Sequence, residues 1–322
     1  VPATKTEPHI QSRFRLGAAG EIMYRYSVAN GNKGKQSIVS IFLEPVESVI
    51  GAHNTQGMKR GTVIDKAARL EVLEANEKAL ETPKKWDGSV NFNQEEQSIT
   101  LIRVSWITSY NLQQEREEEG VHPGESLRGL GFSSVALPGI AVAGFVGDAP
   151  VHIWSGEVPP EDSAVYNQVE DIQWHDYVTR PAAVPTIAAP SPFDAAVLLD
   201  RIRTEMNTWP GKQLLDTAYA AQLDRYMVSA AEAYRLNNPK AAKEHIHTLR
   251  KMLAMEHHHV DNDDADDEDT EEHKRATRRS IDRLAARVLD FDLGYVLKRM
   301  EQGHDKDGRG KDEHRKDDPR KR

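Results

Sequence analysis

The chain has 322 residues, 38% of them hydrophobic and 29% charged, and no cysteine. That length suffices for two domains with a sizeable core, and the lack of thiols excludes disulfides, iron–sulfur clusters and thiolate zinc sites. The net charge of −9 is local. The run Asp261–Glu272 (DNDDADDEDTEE) holds nine acids and no base, and outside it 42 acids face 42 bases. A chain so balanced has no basic composition to suggest nucleic acid as partner. No apolar run reaches the roughly 18 residues of a membrane span, the longest candidate, Val135–Val146, being broken by Pro138, Gly139 and Gly144. The start Val1-Pro2-Ala3 fits a secreted chain whose signal peptide has been removed, and equally an arbitrary boundary.

The first half has strand periodicity. In Glu21–Asn30, Ile22, Tyr24, Tyr26 and Val28 alternate with Met23, Arg25 and Ser27, a period of two with one apolar face. The turn residues Gly31-Asn32-Lys33-Gly34 and a second strand over Ser37–Leu43 predict a hairpin. Asp65–Glu81 has helical propensity and is expected as a helical insertion near 65–81. Gln97–Ser109 is the longest strand signal, with Ile102, Val104 and Trp106 on one face and Arg103, Ser105 and Ile107 on the other. Both faces are expected to be at least partly buried. A polar loop over Gln113–Gly120 follows, then short strands around the turn residues of Leu137-Pro138-Gly139. Six prolines between Val158 and Pro192 predict an extended connector over 158–191, stiffest from Arg180 to Ser191.

From Phe193 the period becomes helical. Ala196, Leu199, Ile202, Arg203 and Met206 step by three and four, and Trp209-Pro210-Gly211 ends the run. A second helix spans Leu214–Leu236, with Leu223, Tyr226, Met227, Ala230 and Tyr234 on one side. Asn237-Asn238 closes it and Pro239 opens a third helix over Lys240–Glu256, as a first-turn proline. Arg278–Met300 is the fourth. The expected fold class is therefore α+β: an antiparallel β-sandwich over 1–157, the connector, and a small helical bundle over 192–300 with an acidic loop at 257–273. The mixed-charge tail 301–322 is expected to be disordered.

Two segments resemble known families. Leu223–Leu253, with Ala230-Ala231, Asn237-Asn238, Ala241-Ala242, Leu249 and Leu253, resembles the FIMAH-type helical module of bacterial extracellular proteins, and Ile281–Leu297 fits its further helix. The acidic run enlarges a loop of that pattern. The residues Tyr24, Tyr26, Val28 and Asn30, with Pro123-Gly124-Glu125-Ser126-Leu127, Gly129, Phe132-Ser133 and Leu137-Pro138-Gly139, resemble β-sandwich domains of uncharacterised secreted bacterial proteins. Together the resemblances touch about two thirds of the chain. They imply a secreted or cell-surface location, with the periplasm left open, and a role in attachment or surface architecture. Neither carries catalytic residues over.

Candidate chemistry is sparse. Carboxylates beside imidazoles attract cations, so Asp261, Asp263, Glu272, His257 and His259 are the candidate metal ligands, for calcium or zinc. Set as a twelve-residue calcium loop, however, the run places Ala265 at position five and Asp266 where the turn needs glycine. A solvated loop is the better reading; calcium, if bound, is weak, and no cofactor is expected. His245 and His247 sit two apart in a helical pattern, which points their rings apart by about 200°. Gly31-Asn32-Lys33-Gly34-Lys35 lacks the spacing and the Ser or Thr of a phosphate loop. No nucleophile elbow and no zincin motif is present in the sequence. Trp86, Trp154 and Trp174 are candidate glycan contacts if exposed, against the commoner fate of core packing. The expected function is a non-enzymatic extracellular structural or adhesion protein, as a subunit of a cell-surface layer or filament, that self-associates or binds another surface protein, with a sheet edge at Gln97–Ser109 as a candidate contact. A polysaccharide-binding module and a metal-dependent hydrolase are the alternatives.

Overall fold

The alternation of β2 (Ile22–Asn30) is carried into the structure residue for residue. Ile22, Tyr24, Tyr26, Val28 and Asn30 are buried, and the residues between them face outward or partly outward. The structure, a computed structural model, describes residues 4–52, 71, 73–94, 100–108, 120–148, 163–164, 176–258 and 280–308. The chain divides into two compact units, Val1–Ala188 and Ala189–Arg322.

In the first unit β1 (Pro8–Leu16) and β2 pair with β7 (Ser126–Ser134) and the short β4 (Leu80–Glu81), in the order β1-β2-β7-β4. The second sheet runs β5-β6-β3-β8-β9, with β3 (Ile38–Val46), β5 (Trp86–Gln94), β6 (Thr100–Thr108), β8 (Leu137–Gly147) and β9 (Val178–Ile187). Every described strand pair is antiparallel. The two inner faces form a β-sandwich around an aromatic centre. Tyr26 and Phe132 from one sheet meet Trp106 from the other at ring separations of 6.2 and 6.4 Å, and Tyr24 stacks on Phe132 at 5.6 Å. Ile102, Val104 and Trp106 lie inside, as their alternation predicts. On the opposite face of β6, Ser105 is also buried and Arg103 is half-buried, stacked on Phe42 and paired with Glu44 at 2.6 Å. Gly144 is required under that stack, because a Cβ there would lie 2.0 Å from the Phe42 ring.

Two expectations are corrected. The segment after β2 is no hairpin: β2 and β3 belong to different sheets, and residues 31–37 carry the chain across the sandwich. Asn30 fixes this corner. Its backbone N–H donates to Glu125 O (3.0 Å) and its carbonyl accepts from Gly124 N (2.7 Å). Its side-chain oxygen accepts from Glu7 N (3.0 Å), while Nδ2 donates to Gln36 O (2.8 Å) and Val121 O (2.9 Å). The second correction concerns the connector. Val178–Ile187 is strand, paired with β8 from Val178 to Ile187, so the sandwich extends to the unit boundary at Ala188. Prolines 181 and 185 are tolerated because β9 is an edge strand and needs no full set of ladder donors. Its outer side is tied to the other sheet instead: Ala183 N–H donates to Ser12 Oγ of β1 (3.1 Å), Tyr26 Oη of β2 donates to Ala183 O (2.9 Å) and Arg180 Nε to Pro8 O of β1 (3.0 Å). Of the insertion expected near 65–81, residues 73–78 are helical and the chain is back in a strand by Leu80.

The second unit holds α1 (Ala195–Met206), α2 (Thr217–Arg235), α3 (Pro239–His258) and α4 (Arg283–Gly308). Asp194 and Asp216 cap α1 and α2 through their carboxylates. The α2–α3 junction uses two asparagines differently. Asn237 takes the left-handed conformation (φ 55°) that ends α2, and Asn238 caps α3, its Oδ1 accepting from Ala241 N at 3.1 Å. Ala242, Ile246, Leu249 and Leu253 of α3 are buried, as are Leu223, Met227 and Ala230 of α2. Ion pairs Arg203–Asp224 (2.5 Å) and Arg250–Asp290 (2.7 Å) staple α1 to α2 and α3 to α4. Replacing the cap by Asn238→Ala is expected to lower the stability of this unit by about 1 kcal/mol, read as a shift in its urea midpoint with an unchanged slope. The last helix reaches Gly308, so the first part of the expected tail is ordered as helix.

Candidate functional site

The outward residues of β1, β2 and β7 make an unusual surface. Because side chains alternate, Gln11, Arg13 and Arg15 leave β1 on the side away from the core, Arg25 and Ser27 leave β2 there, and Arg128 leaves β7. The pairing brings these residues together. Arg13 lies directly opposite Arg25, Gln11 opposite Ser27, and Ser27 opposite Arg128. They line a groove of about 430 Å³.

Its electrostatics are one-sided. The strands β1, β2 and β7 contain four arginines and no acidic residue. Among the described residues, the carboxylate that meets this set is Glu81 of β4, which pairs with Arg25, both side chains being more than two-fifths exposed. That exposed pair contributes little to stability. Opposed like charges on neighbouring strands are unfavourable, so the Arg13–Arg25 pairing costs the fold a little and leaves guanidinium forks facing solvent. Such forks match the two oxygens of a carboxylate. Met23 contributes the apolar part of the groove, while the rings of Phe14 and Tyr26 belong to the opposite, inward set.

The residues expected to carry function fall elsewhere. Trp86 is 6% exposed and Trp106 is fully buried, so neither offers a ring face to a sugar; an aromatic at an inward strand position fills the sandwich instead. Trp154 and Trp174 lie outside the described residues. So do Asp261, Asp263, Glu272 and His259, while His257 belongs to the last turn of α3, where its side chain is not described. His245 and His247 stand on either side of buried Ile246, as the helical spacing requires. Among the described residues no group of three or more His, Asp or Glu side chains converges as a metal site. The proposed sheet edge is also displaced: β6 lies between β5 and β3, with its ladders on both sides occupied. Among the described residues no helix is long and apolar enough to cross a membrane.

The arginine groove escapes a reading by composition, because four residues from three strands barely move the charge balance. The usable signal is local: Arg13-Phe14-Arg15 beside an alternating strand whose polar face contains Arg25. No known protein-family model matches the chain and no curated protein is significantly similar to it, so function has to be argued from this groove.

Proposed function

We propose that the chain is a non-catalytic binding protein of the bacterial cell exterior, which docks an acidic polypeptide on the outer face of its four-stranded sheet. The observation that carries this reading is the arginine-lined groove formed by Arg13, Arg15, Arg25 and Arg128. A protein whose formal charge is −9 concentrates positive charge on one sheet face, at a cost in cross-strand repulsion. Charge placed against stability is the pattern of a surface kept for binding. The cell-surface location and the role in attachment or surface architecture rest on the resemblance of the two modules to secreted bacterial proteins.

An acidic polypeptide suits the groove better than a nucleic acid. The outward residues that line the groove include no aromatic side chain on which a base would stack.

Titration with poly-L-glutamate by fluorescence anisotropy tests the reading. The parent chain is expected to bind at low salt and to lose affinity steeply as salt rises. Arg13→Glu is expected to weaken binding at least tenfold, a change of about 1.4 kcal/mol. The same substitution places a carboxylate opposite Arg25 and is expected to stabilise the sandwich by about 0.2–1 kcal/mol. Lys240→Glu on α3 makes the same change in net charge and is the matched control: a general charge effect would weaken binding as much there as at Arg13. Equal affinity of parent and Arg13→Glu chains, or tighter binding of a single-stranded oligonucleotide than of polyglutamate, would sink the proposal.

A further inference from the structure

We infer that the occupant of the arginine groove is the acidic run Asp261–Glu272 of a second copy of this chain, an inference that rests on the binding reading above. The argument is charge complementarity combined with spacing. Outside that run acids and bases balance at 42 each, so the run holds the whole net charge of the molecule. The groove concentrates the opposite charge on three acid-free strands.

The spacing agrees. Alternate residues of a strand lie about 6.7 Å apart on one face, which is the step from Arg13 to Arg15 along β1. A polypeptide laid over the groove in extended form repeats its own side chains at the same interval. In the run, one alternate set is Asp261, Asp263, Ala265, Asp267, Asp269 and Glu271, and the other is Asn262, Asp264, Asp266, Glu268, Thr270 and Glu272. Either set offers successive carboxylates in step with the arginines. Across the strands, about 4.8 Å apart, Arg25 stands opposite Arg13, and Arg128 lies opposite Ser27 at the next outward pair, so the arginines of β2 and β7 flank the path along β1. Each guanidinium can take a carboxylate through two parallel hydrogen bonds.

The groove belongs to the sandwich unit and the run to the helical unit. A contact between different surfaces on identical chains is heterologous, so each copy offers one acceptor and one donor. Such contacts add copies head to tail and grow a ring or a filament instead of a closed two-fold dimer.

Light scattering on the full chain tests this with two variants. One carries Arg13→Glu and Arg128→Glu; in the other the nine acids of the run are replaced by their amides. The parent is expected to gain mass with concentration at low salt and to return to the 36.1 kDa monomer at about 0.5 M salt. Each variant alone is expected to stay monomeric. An equal mixture is expected to form a species of two chains and nothing larger, because the first variant keeps only its run and the second only its groove. A parent that binds polyglutamate yet stays monomeric at every concentration would overturn the inference and leave the binding reading standing. If its run-neutralised variant then bound polyglutamate at least tenfold more tightly than the parent, the run would be filling the groove of its own chain. Assembly that persists unchanged in both variants, or a mixture that stays monomeric while the parent assembles, would also overturn it. Failure of polyglutamate to bind any of the chains would instead remove the reading beneath it.

Discussion

Replacing Asn30 by leucine is expected to destabilise the sandwich by about 3–5 kcal/mol, in a chain where surface substitutions change stability by a few tenths. Leucine keeps the branching of the side chain, is bulkier, and removes all three side-chain hydrogen bonds. Glu7 N–H loses its acceptor, and the carbonyls of Gln36 and Val121 lose their donor. Asn30 is 1% exposed, so water does not replace these partners without opening the corner. Each buried group left unpaired costs about 1–3 kcal/mol. Asn30→Asp is the informative companion. It keeps the acceptor for Glu7 but turns a charged oxygen toward two carbonyls, so it is expected to be no better than leucine at neutral pH and to recover partly in acid. Hydrogen exchange read separately at β2 and α2 amides checks the result. Protection must fall throughout the sandwich and stay unchanged in the helices; a loss confined to residues 31–37 would show that Asn30 orders one loop and nothing more.

The same residue shows what the sequence conveys. The alternation of Ile22, Tyr24, Tyr26 and Val28 announces a strand with one buried face, since side-chain period depends on local geometry alone. Its destination does not follow. Gly31-Asn32-Lys33-Gly34 has the chemistry of a tight turn, and that chemistry serves a hairpin and a sheet-to-sheet crossing alike. The deciding fact is that Asn30 bonds with Glu7, Val121 and Glu125, up to 95 residues distant. The segments around Tyr24–Asn30 and Pro123–Leu127 are stitched together at this residue. Tyr24 similarly donates to Ala136 O (2.9 Å), 112 residues on. The prolines of β9 mislead for another reason: proline argues against a central strand, and position in a sheet is a tertiary property. In the helical unit the signals are local, and Asn237-Asn238-Pro239 can be read directly as stop, cap and first turn. The groove lies between these cases. Each arginine is visible at an outward position, but their convergence needs the register of three strands.

Asp292→Asn is expected to make the helical unit more stable at neutral and alkaline pH and to change nothing in acid. Asp292 lies on α4, is 1% exposed, and among the described residues neither carboxylate oxygen has a hydrogen-bond partner. Burial raises its pKa well above the usual carboxylate value, and the nearby charge of Glu205 on α1 adds to the rise. The sign follows from proton linkage. The folded unit holds a proton that the unfolded chain releases above about pH 4, so its stability is full below that pH and falls as pH rises through the folded pKa. Asparagine has the shape of the protonated acid and cannot ionise. Parent and variant are therefore expected to unfold together near pH 4 and to separate as pH rises, by about 1.4 kcal/mol per pH unit until the folded pKa is passed. Thermal unfolding of both chains across that range measures the gap. A gap that is constant with pH would mean that Asp292 contributes only packing; one that closes toward alkaline pH would mean that its carboxylate is stabilised in the fold, against the burial seen here.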